Sequence, residues 1–378
     1  MGKERKKFLS VLPANGLNYE PLETITISGN RKIGINHPVF IIAEIGANHK
    51  GDINIALKLI EKAATMGVDA VKFQHLKHKT IASDAPVDTE WNGKKDFNTL
   101  AEFYKPSEMP YEWTERLINH AKKHNILFLS TPFDKEAVDI LEKFHVPAYK
   151  ISSYEMTDDM FLTYVAKKGK PIILSTGMAS LEEVAHAVAI IQEAGNSNIA
   201  LLHCVSIYPP KSFKDLNLRA IETLAHAFKL PVGYSDHSTP PYVAPAITAV
   251  TLGACIIERH FTNTQDGGSR DDANSMEFSH FEKMVQEIRN AEEALSGNGI
   301  KQPVVYSGFD GDEIFDRWAR RSIHAVCDIS KDTILTEDML TTLRPWGGVE
   351  PKDYKKLIGK KVIKNIKIRN PIKWEDVV

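Results

Sequence analysis

The chain has 378 residues, 43% apolar and 25% charged, with 47 Lys plus Arg against 49 Asp plus Glu and a formal net charge of −2. This is the composition of a globular protein with a large core rather than a disordered one. The near balance of charge supplies no global field for nucleic acid or an anionic membrane, so any anion site must be local.

At the start, the basic stretch Met1 to Lys7 is followed only by Phe8 to Leu12 before Pro13, too short for a signal-peptide core, and no run approaches a membrane span. Cys204, Cys255 and Cys327 are widely spaced with no CxxC pair, which implies neither a disulfide framework nor a zinc knuckle. A cytoplasmic protein is expected. Residues 1–36 read as an extension whose segment ETITISGNRKIG alternates like a hairpin, placed to close the bottom of a barrel.

From there short β-branched runs alternate with amphipathic stretches. The predicted strands are Val39–Ile45, Asp69–Phe73, Ile126–Ser130, Ala148–Ser152, Pro171–Ser175, Ile199–Cys204, Val232–Ser235 and Cys255–Arg259. The predicted helices are Asn54–Met66, Tyr111–His124, Lys135–Phe144, Asp158–Lys168, Leu181–Ala194, Leu218–Phe228, Pro240–Thr251 and Ser279–Leu295. Eight βα units in about 260 residues fit a closed (β/α)8 TIM barrel over residues 37–296 better than an open doubly wound sheet. The connection Leu76–Met109, long and polar with Trp91, Asn92, Gly93 and Pro106, is expected to cap a site. Residues 297–318 read as a linker and 319–378 as a small mixed module carrying SIHAVCDI and KKVIKNI.

In such a barrel the site forms at the C-terminal strand ends. There stand Glu44, Asn48 and His49, then Lys72 and Gln74, Thr131, Lys150 with Ser152 and Ser153, Ser175 with Thr176, His203, Ser206 and Tyr208, Asp236 with His237, and Glu258 with His260. Alternation along a strand points Lys72 with Gln74, Lys150 with Ser152, and Glu258 with His260 the same way. Inward lysines need an anion. The accompanying hydroxyls of Thr131, Ser153 and Ser175 favour a phosphate or carboxylate ligand, and an internal network with Glu44 and Glu258 is the alternative. His237 and His260, on adjacent strands, either share a divalent metal or are hydrogen-bonded structural residues, with Asp236 and Glu258 at hand as partners. His75, His78 and His120 are expected to be solvated. Cys204 and Cys255, inside strands, read as core residues.

The segments FIIAEIGANHKGD, VDAVKFQ, LSTPFD, AYKISS, ILSTGM, LLHCVSIYPP, GYSDHS and IIERHFT occur in the order of the sialic acid synthase family, which the chain resembles over the whole barrel. RRSIHAVCDISKDTILTEDML with LRP and LIGKKV is similar to the antifreeze-like SAF domain that ends those synthases. The resemblance implies condensation of phosphoenolpyruvate with N-acetylmannosamine or a related 2-acetamido hexose, with carbon–oxygen cleavage and release of phosphate. It implies that Lys72, Thr131, Lys150, Ser153, Ser175 and Ser235 hold phosphoenolpyruvate. Gln74, Ser206, Tyr208 and Asp271 would approach the sugar, and Glu44, Lys72, Lys150 and Glu258 would carry the chemistry. His237 and His260 would hold manganese, with magnesium or cobalt as substitutes. It further implies a homodimer in which the SAF module of one subunit crosses to its partner and lends Arg344. Departures fall at Ser206, often Asn in the family, at Gly267 to Asp272, and at WGGVEP after Arg344. DGG and AYKISSYE resemble the pseudaminic branch, so a pseudaminic or legionaminic acid synthase acting on a 2,4-diacetamido-2,4,6-trideoxyhexose is the alternative. A synthase using an aldose phosphate would need a second basic pair, of which Arg270 could be half. A silent sugar-binding barrel would need broken lysines or histidines, and all four are present.

Overall fold

The computed structural model describes residues 24–89, 96–263, 268–296 and 319–378. The expected linker and residues Trp91, Asn92 and Gly93 lie outside them. The chain divides into two compact units, Met1–Ile300 and Lys301–Val378.

The first unit begins with an antiparallel hairpin, β1 (Ile25–Ser28) and β2 (Arg31–Ile33). Eight parallel barrel strands come next: β3 (Phe40–Glu44), β4 (Ala70–His75), β5 (Leu127–Pro132), β6 (Tyr149–Ile151), β7 (Ile172–Ser175), β8 (Ile199–Cys204), β9 (Val232–Asp236) and β10 (Ile256–Thr262). The ladder runs β5-β4-β3-β10-β9-β8-β7-β6, so the first and last barrel strands pair, and β5 and β6 lie side by side to close the ring. A two-residue strand, β11 (Met276–Glu277), pairs parallel with the end of β10.

The helices are α1 (Ile53–Thr65), two short pieces α2 (His78–Ile81) and α3 (Leu100–Tyr104) within the long connection, then α4 (Thr114–Lys123), α5 (Lys135–Lys143), α6 (Asp159–Ala166), α7 (Leu181–Glu193), α8 (Ala220–Phe228), α9 (Ala244–Thr251) and α10 (Phe278–Ala294). Side-chain oxygens of Asp52, Asp134, Asp158 and Ser180 accept from the first-turn N–H groups of α1, α5, α6 and α7, which fixes where each helix starts. The helix expected from Pro240 begins only at Ala244. The Pro240–Pro241 pair explains the delay, because a residue before proline is disfavoured in the α region. Among the described residues no helix is long and apolar enough to cross a membrane.

Strand parity separates two cores. Ile41, Ala43, Val71, Phe73, Tyr149, Ile151, Ile257 and Phe261 face outward and pack with the helices. Phe40, Ile42, Ala70, Leu129, Ala148, Ile173, Ala200, Leu202 and Ile256 face inward, and Ile25, Ile27 and Ile33 of the hairpin join them. The hairpin thus packs into the N-terminal end of the barrel, where Arg31 Nε donates to Asp69 Oδ1 at 2.7 Å. Gly233 is required on β9, since a Cβ there would stand 2.5 Å from that of Ile256.

In the second unit β12 (Ser322–Ala325) and β13 (Leu340–Leu343) pair antiparallel. Ile323, Ala325, Ile329, Leu335, Val349, Leu357, Val362, Ile366, Ile372 and Val377 form its core. The remainder is turns, bridges and short 3-10 helices.

Candidate active site

Where the inner core ends, the inward parity turns polar. Glu44 follows Ile42 on β3, Lys72 and Gln74 follow Ala70, Lys150 follows Ala148, Ser175 follows Ile173, and Glu258 and His260 follow Ile256. These residues with Thr131, Ser152, Ser153, Tyr208, Ser235, His237 and Asp271 line a cavity of about 140 Å³ at the C-terminal strand ends. Lys72, Lys150, Glu44, Glu258, Thr131, Ser153, Ser175 and Ser235 are all buried.

The lysine–glutamate network weighed from the sequence is the arrangement present. Lys72 Nζ lies 2.6 Å from Glu44 Oε2 and 3.8 Å from Glu258 Oε2, and it donates to Thr131 Oγ1 at 3.1 Å. Gln74 Nε2 donates to Glu44 Oε1 at 2.8 Å, and Ser235 Oγ to Glu258 Oε1 at 2.9 Å. Lys150 Nζ is only loosely paired, 3.8 Å from Glu258 Oε1, and donates to the Ile151 carbonyl. Burial works against both ammonium groups. At Lys72 the nearby carboxylates of Glu258 and Glu44 outweigh it and the pKa is raised, whereas at Lys150 burial wins and the neighbouring Lys72 adds to the lowering. Burial would raise the Glu258 carboxyl, but Lys150 and Lys72 hold it down at about 2. Ser175 Oγ is buried with no hydrogen-bond partner among the described residues. An incompletely paired cation beside an unsatisfied hydroxyl suits an anionic ligand, which would relieve both.

At the other side of the cavity the rings of His237 and His260 are 5.8 Å apart, and Tyr208 lies 4.2 Å from His237. His237 Nδ1 is 3.0 Å from the Val205 carbonyl, while His260 Nδ1 is buried with no hydrogen-bond partner among the described residues and is 3.7 Å from Asp271 Oδ2. Two imidazoles converging on a cavity, one with an orphaned nitrogen, fit a borderline divalent ion. Asp271 Oδ2 accepts from the Ala47 N–H at 2.7 Å and sits in the space that a Cβ on Gly46 would fill.

Asp236, named from the sequence as a partner for metal or sugar, points the other way. It shares the outward parity of Tyr234 and pairs with the fully buried Arg259 at 2.8 Å, with further bonds from Tyr234 OH and the Ser238 N–H. Arg259 also donates to the Asp236 and Ser238 carbonyls and to Ser238 Oγ. The pair ties β9 to β10 behind His237 and His260. Its signal was available as a charge of outward parity inside IIERHFT.

Ser206 does not line the cavity; its hydroxyl lies 4.0 Å from Cys204 Sγ. Arg344, exposed at the end of β13, belongs to the second unit. His75 is not solvated: it is fully buried between Ser130 Oγ at 2.6 Å and Thr114 Oγ1 at 2.7 Å, and burial pushes its pKa down to about 3. His78 pairs with Glu108 and His120 with Glu61. Sequence reasoning missed Glu155, whose Oε2 accepts from Ser152 Oγ and whose pKa burial raises to about 7. It also missed Phe103 and Tyr104, which the long connection adds to the cavity wall. Arg270, on the facing loop, pairs with Asp96 at 2.9 Å and stacks 4.7 Å over Phe103.

Residues 59–301 match the NeuB family and residues 320–378 the SAF domain. The chain belongs to the NeuB family. This NeuB-family barrel is similar to N,N'-diacetyllegionaminic acid synthase of Campylobacter jejuni, at 40% identity covering 86% of the chain and 96% of that protein. It is similar to pseudaminic acid synthase of the same species at 38% identity, covering 89% and 96%. Among solved structures, N-acetylneuraminic acid synthetase of Leptospira borgpetersenii superimposes with a TM-score of 0.67 at 35% identity, covering 79% of the chain and 98% of that one. The family expectation from the strand-end motifs therefore holds, and the relatives carry different product acids in their names.

Proposed function

We propose that the chain is a nonulosonic acid synthase that condenses phosphoenolpyruvate with the open-chain aldehyde of a 2-acetamido hexose, giving a 2-keto acid and phosphate. The observation that carries the reading is the buried Lys72–Lys150 pair at the cavity floor beside the unsatisfied Ser175 hydroxyl. Lys150, Ser153 and Ser175 receive the phosphate, and Lys72, Thr131 and Ser235 the carboxylate end. The enol carbon attacks the sugar aldehyde, water adds at the neighbouring carbon, and phosphate leaves with its bridging oxygen. Glu44 and Glu258 move protons or hold sugar hydroxyls.

His237 and His260 would hold a divalent ion, manganese by the family resemblance. When bound it supplies Lewis-acid polarisation of the aldehyde. Gln74, Tyr208 and Asp271 orient the sugar. A 2,4-diacetamido-2,4,6-trideoxyhexose is the favoured acceptor over N-acetylmannosamine, supported by the legionaminic and pseudaminic acid synthases at 40% and 38% identity. An aldose phosphate is disfavoured because Arg270, the residue for a second phosphate, already pairs with Asp96.

Residues 37–296 make the catalytic domain, and residues 319–378 act in trans within a homodimer, bringing Arg344 to the partner's site. The three free cysteines suit a reducing cytoplasm. Replacing Lys150 by Ala tests the assignment: phosphate release with any acceptor should fall on the order of 100-fold to 1,000-fold, as for other removed transition-state charges. Unchanged release would refute the anion cage.

A further inference from the structure

On the outer helix layer, remote from the strand-end cavity, a second group of metal-ligating side chains converges. His120 and His124 stand four residues apart at the C-terminal end of α4, so their rings share one helix face. The ring centroids are 4.8 Å apart with 53° between planes. Glu61, from the adjacent helix α1, places Oε1 3.0 Å from His120 Nε2. Nε2 of His124 is enclosed and has no hydrogen-bond partner among the described residues.

The three ligand atoms lie within 4.8 Å of one another, and among the described residues no other three His, Cys, Asp or Glu side chains gather so closely. A surface histidine ordinarily satisfies both ring nitrogens with water. Here one is shut off from water, which costs free energy unless its lone pair is otherwise engaged.

We propose that Glu61, His120 and His124 form a structural site for a divalent transition metal, separate from the barrel mouth, which staples α1 to α4. Two imidazoles and a carboxylate select zinc, cobalt or nickel over magnesium and calcium. Zinc, with bonds of about 2.0–2.2 Å, sets tetrahedral ligand atoms about 3.4 Å apart, so the 3.0 Å His120–Glu61 contact would open slightly, with a fourth position left for water. The ion engages a ring nitrogen of His124 and replaces the His120–Glu61 contact with two coordinate bonds. Because α1 and α4 follow β3 and β4, the staple acts on the layer that supports Glu44 and Lys72 and takes no part in the chemistry.

The test is zinc titration of the metal-free, full-length protein against a chromophoric chelator, repeated with Co²⁺ for its visible absorption. The proteins compared are the unaltered chain, His124→Ala, Glu61→Gln, and the double variant His237→Ala/His260→Ala. The double variant should still bind one equivalent of zinc and gain melting temperature from it. His124→Ala should lose one equivalent relative to the unaltered chain, Glu61→Gln should bind that equivalent at least tenfold more weakly, and manganese-supported turnover in both should stay unchanged. Zinc stoichiometry that is the same in His124→Ala as in the unaltered chain would overturn the proposal. So would loss of all zinc binding in a folded double variant. If the double variant does not fold, the comparison of His124→Ala with the unaltered chain decides alone.

Discussion

Lys72 and Lys150 are the same residue type at the same depth, yet their pKa values move in opposite directions because only Lys72 has a carboxylate at 2.6 Å. The sign has a kinetic consequence. In the proposed reaction Lys150 binds the anion as an ammonium, so as pH rises through its lowered pKa the KM for phosphoenolpyruvate should rise, earlier than a solvent lysine would dictate. Lys150→Arg should move that rise to higher pH, and a KM–pH profile checks it. Gly46, at φ +50°, leaves room for Asp271, and a methyl group there would collide with Oδ2. Gly46→Ala should therefore raise the KM for the sugar roughly tenfold, the worth of one charge-assisted hydrogen bond, with less effect on that for phosphoenolpyruvate. The lysines, glutamates and histidines of the site were legible because strand parity aims them. Asp236 turns away for the same reason in reverse: position at a strand end says nothing of direction until the register places Ser235 and His237 inward. Glu155 left no periodic signal, since it sits in the turn after β6.

The elements that hold the site are as specific as its ligands. Arg259 and Asp236 are both fully buried, so removing one partner strands the other's charge in the protein interior. Arg259→Met should destabilise the barrel by about 3–5 kcal/mol, measured by urea unfolding, and the pair Asp236→Leu/Arg259→Met should recover most of that loss. The hairpin seals the opposite end through Ile25, Ile27 and Ile33, and Ile33→Ala should cost about 2–5 kcal/mol by the same assay. Most barrel strands and helices were visible as alternating runs, and the N-caps Asp52, Asp134, Asp158 and Ser180 mark helix starts that sequence can locate. The late start of α9 shows where periodicity misleads, because apolar spacing continues through Pro240 and Pro241 while backbone sterics do not.

For the molecule as a whole, eight alternating units specified the closed barrel, since each parallel strand needs a helical crossover and the first and last strands must then meet. Sequence alone could not show which inward polar groups would satisfy one another, because Lys72 pairs with Glu44 on the neighbouring strand β3 whereas Lys150 reaches across the barrel to Glu258 on β10. The proposed action in trans makes its own prediction at this scale: a dimer should be found by light scattering, and Arg344→Ala should lower turnover without dissociating it. The central claim is the condensation itself. It is tested most directly by phosphate release from phosphoenolpyruvate with manganese in the presence of N-acetylmannosamine or each of the two diacetamido-trideoxy sugars. Release should depend on an acceptor and be strongest with a diacetamido sugar. Folded, metal-loaded protein that releases no phosphate with any of the three would contradict it.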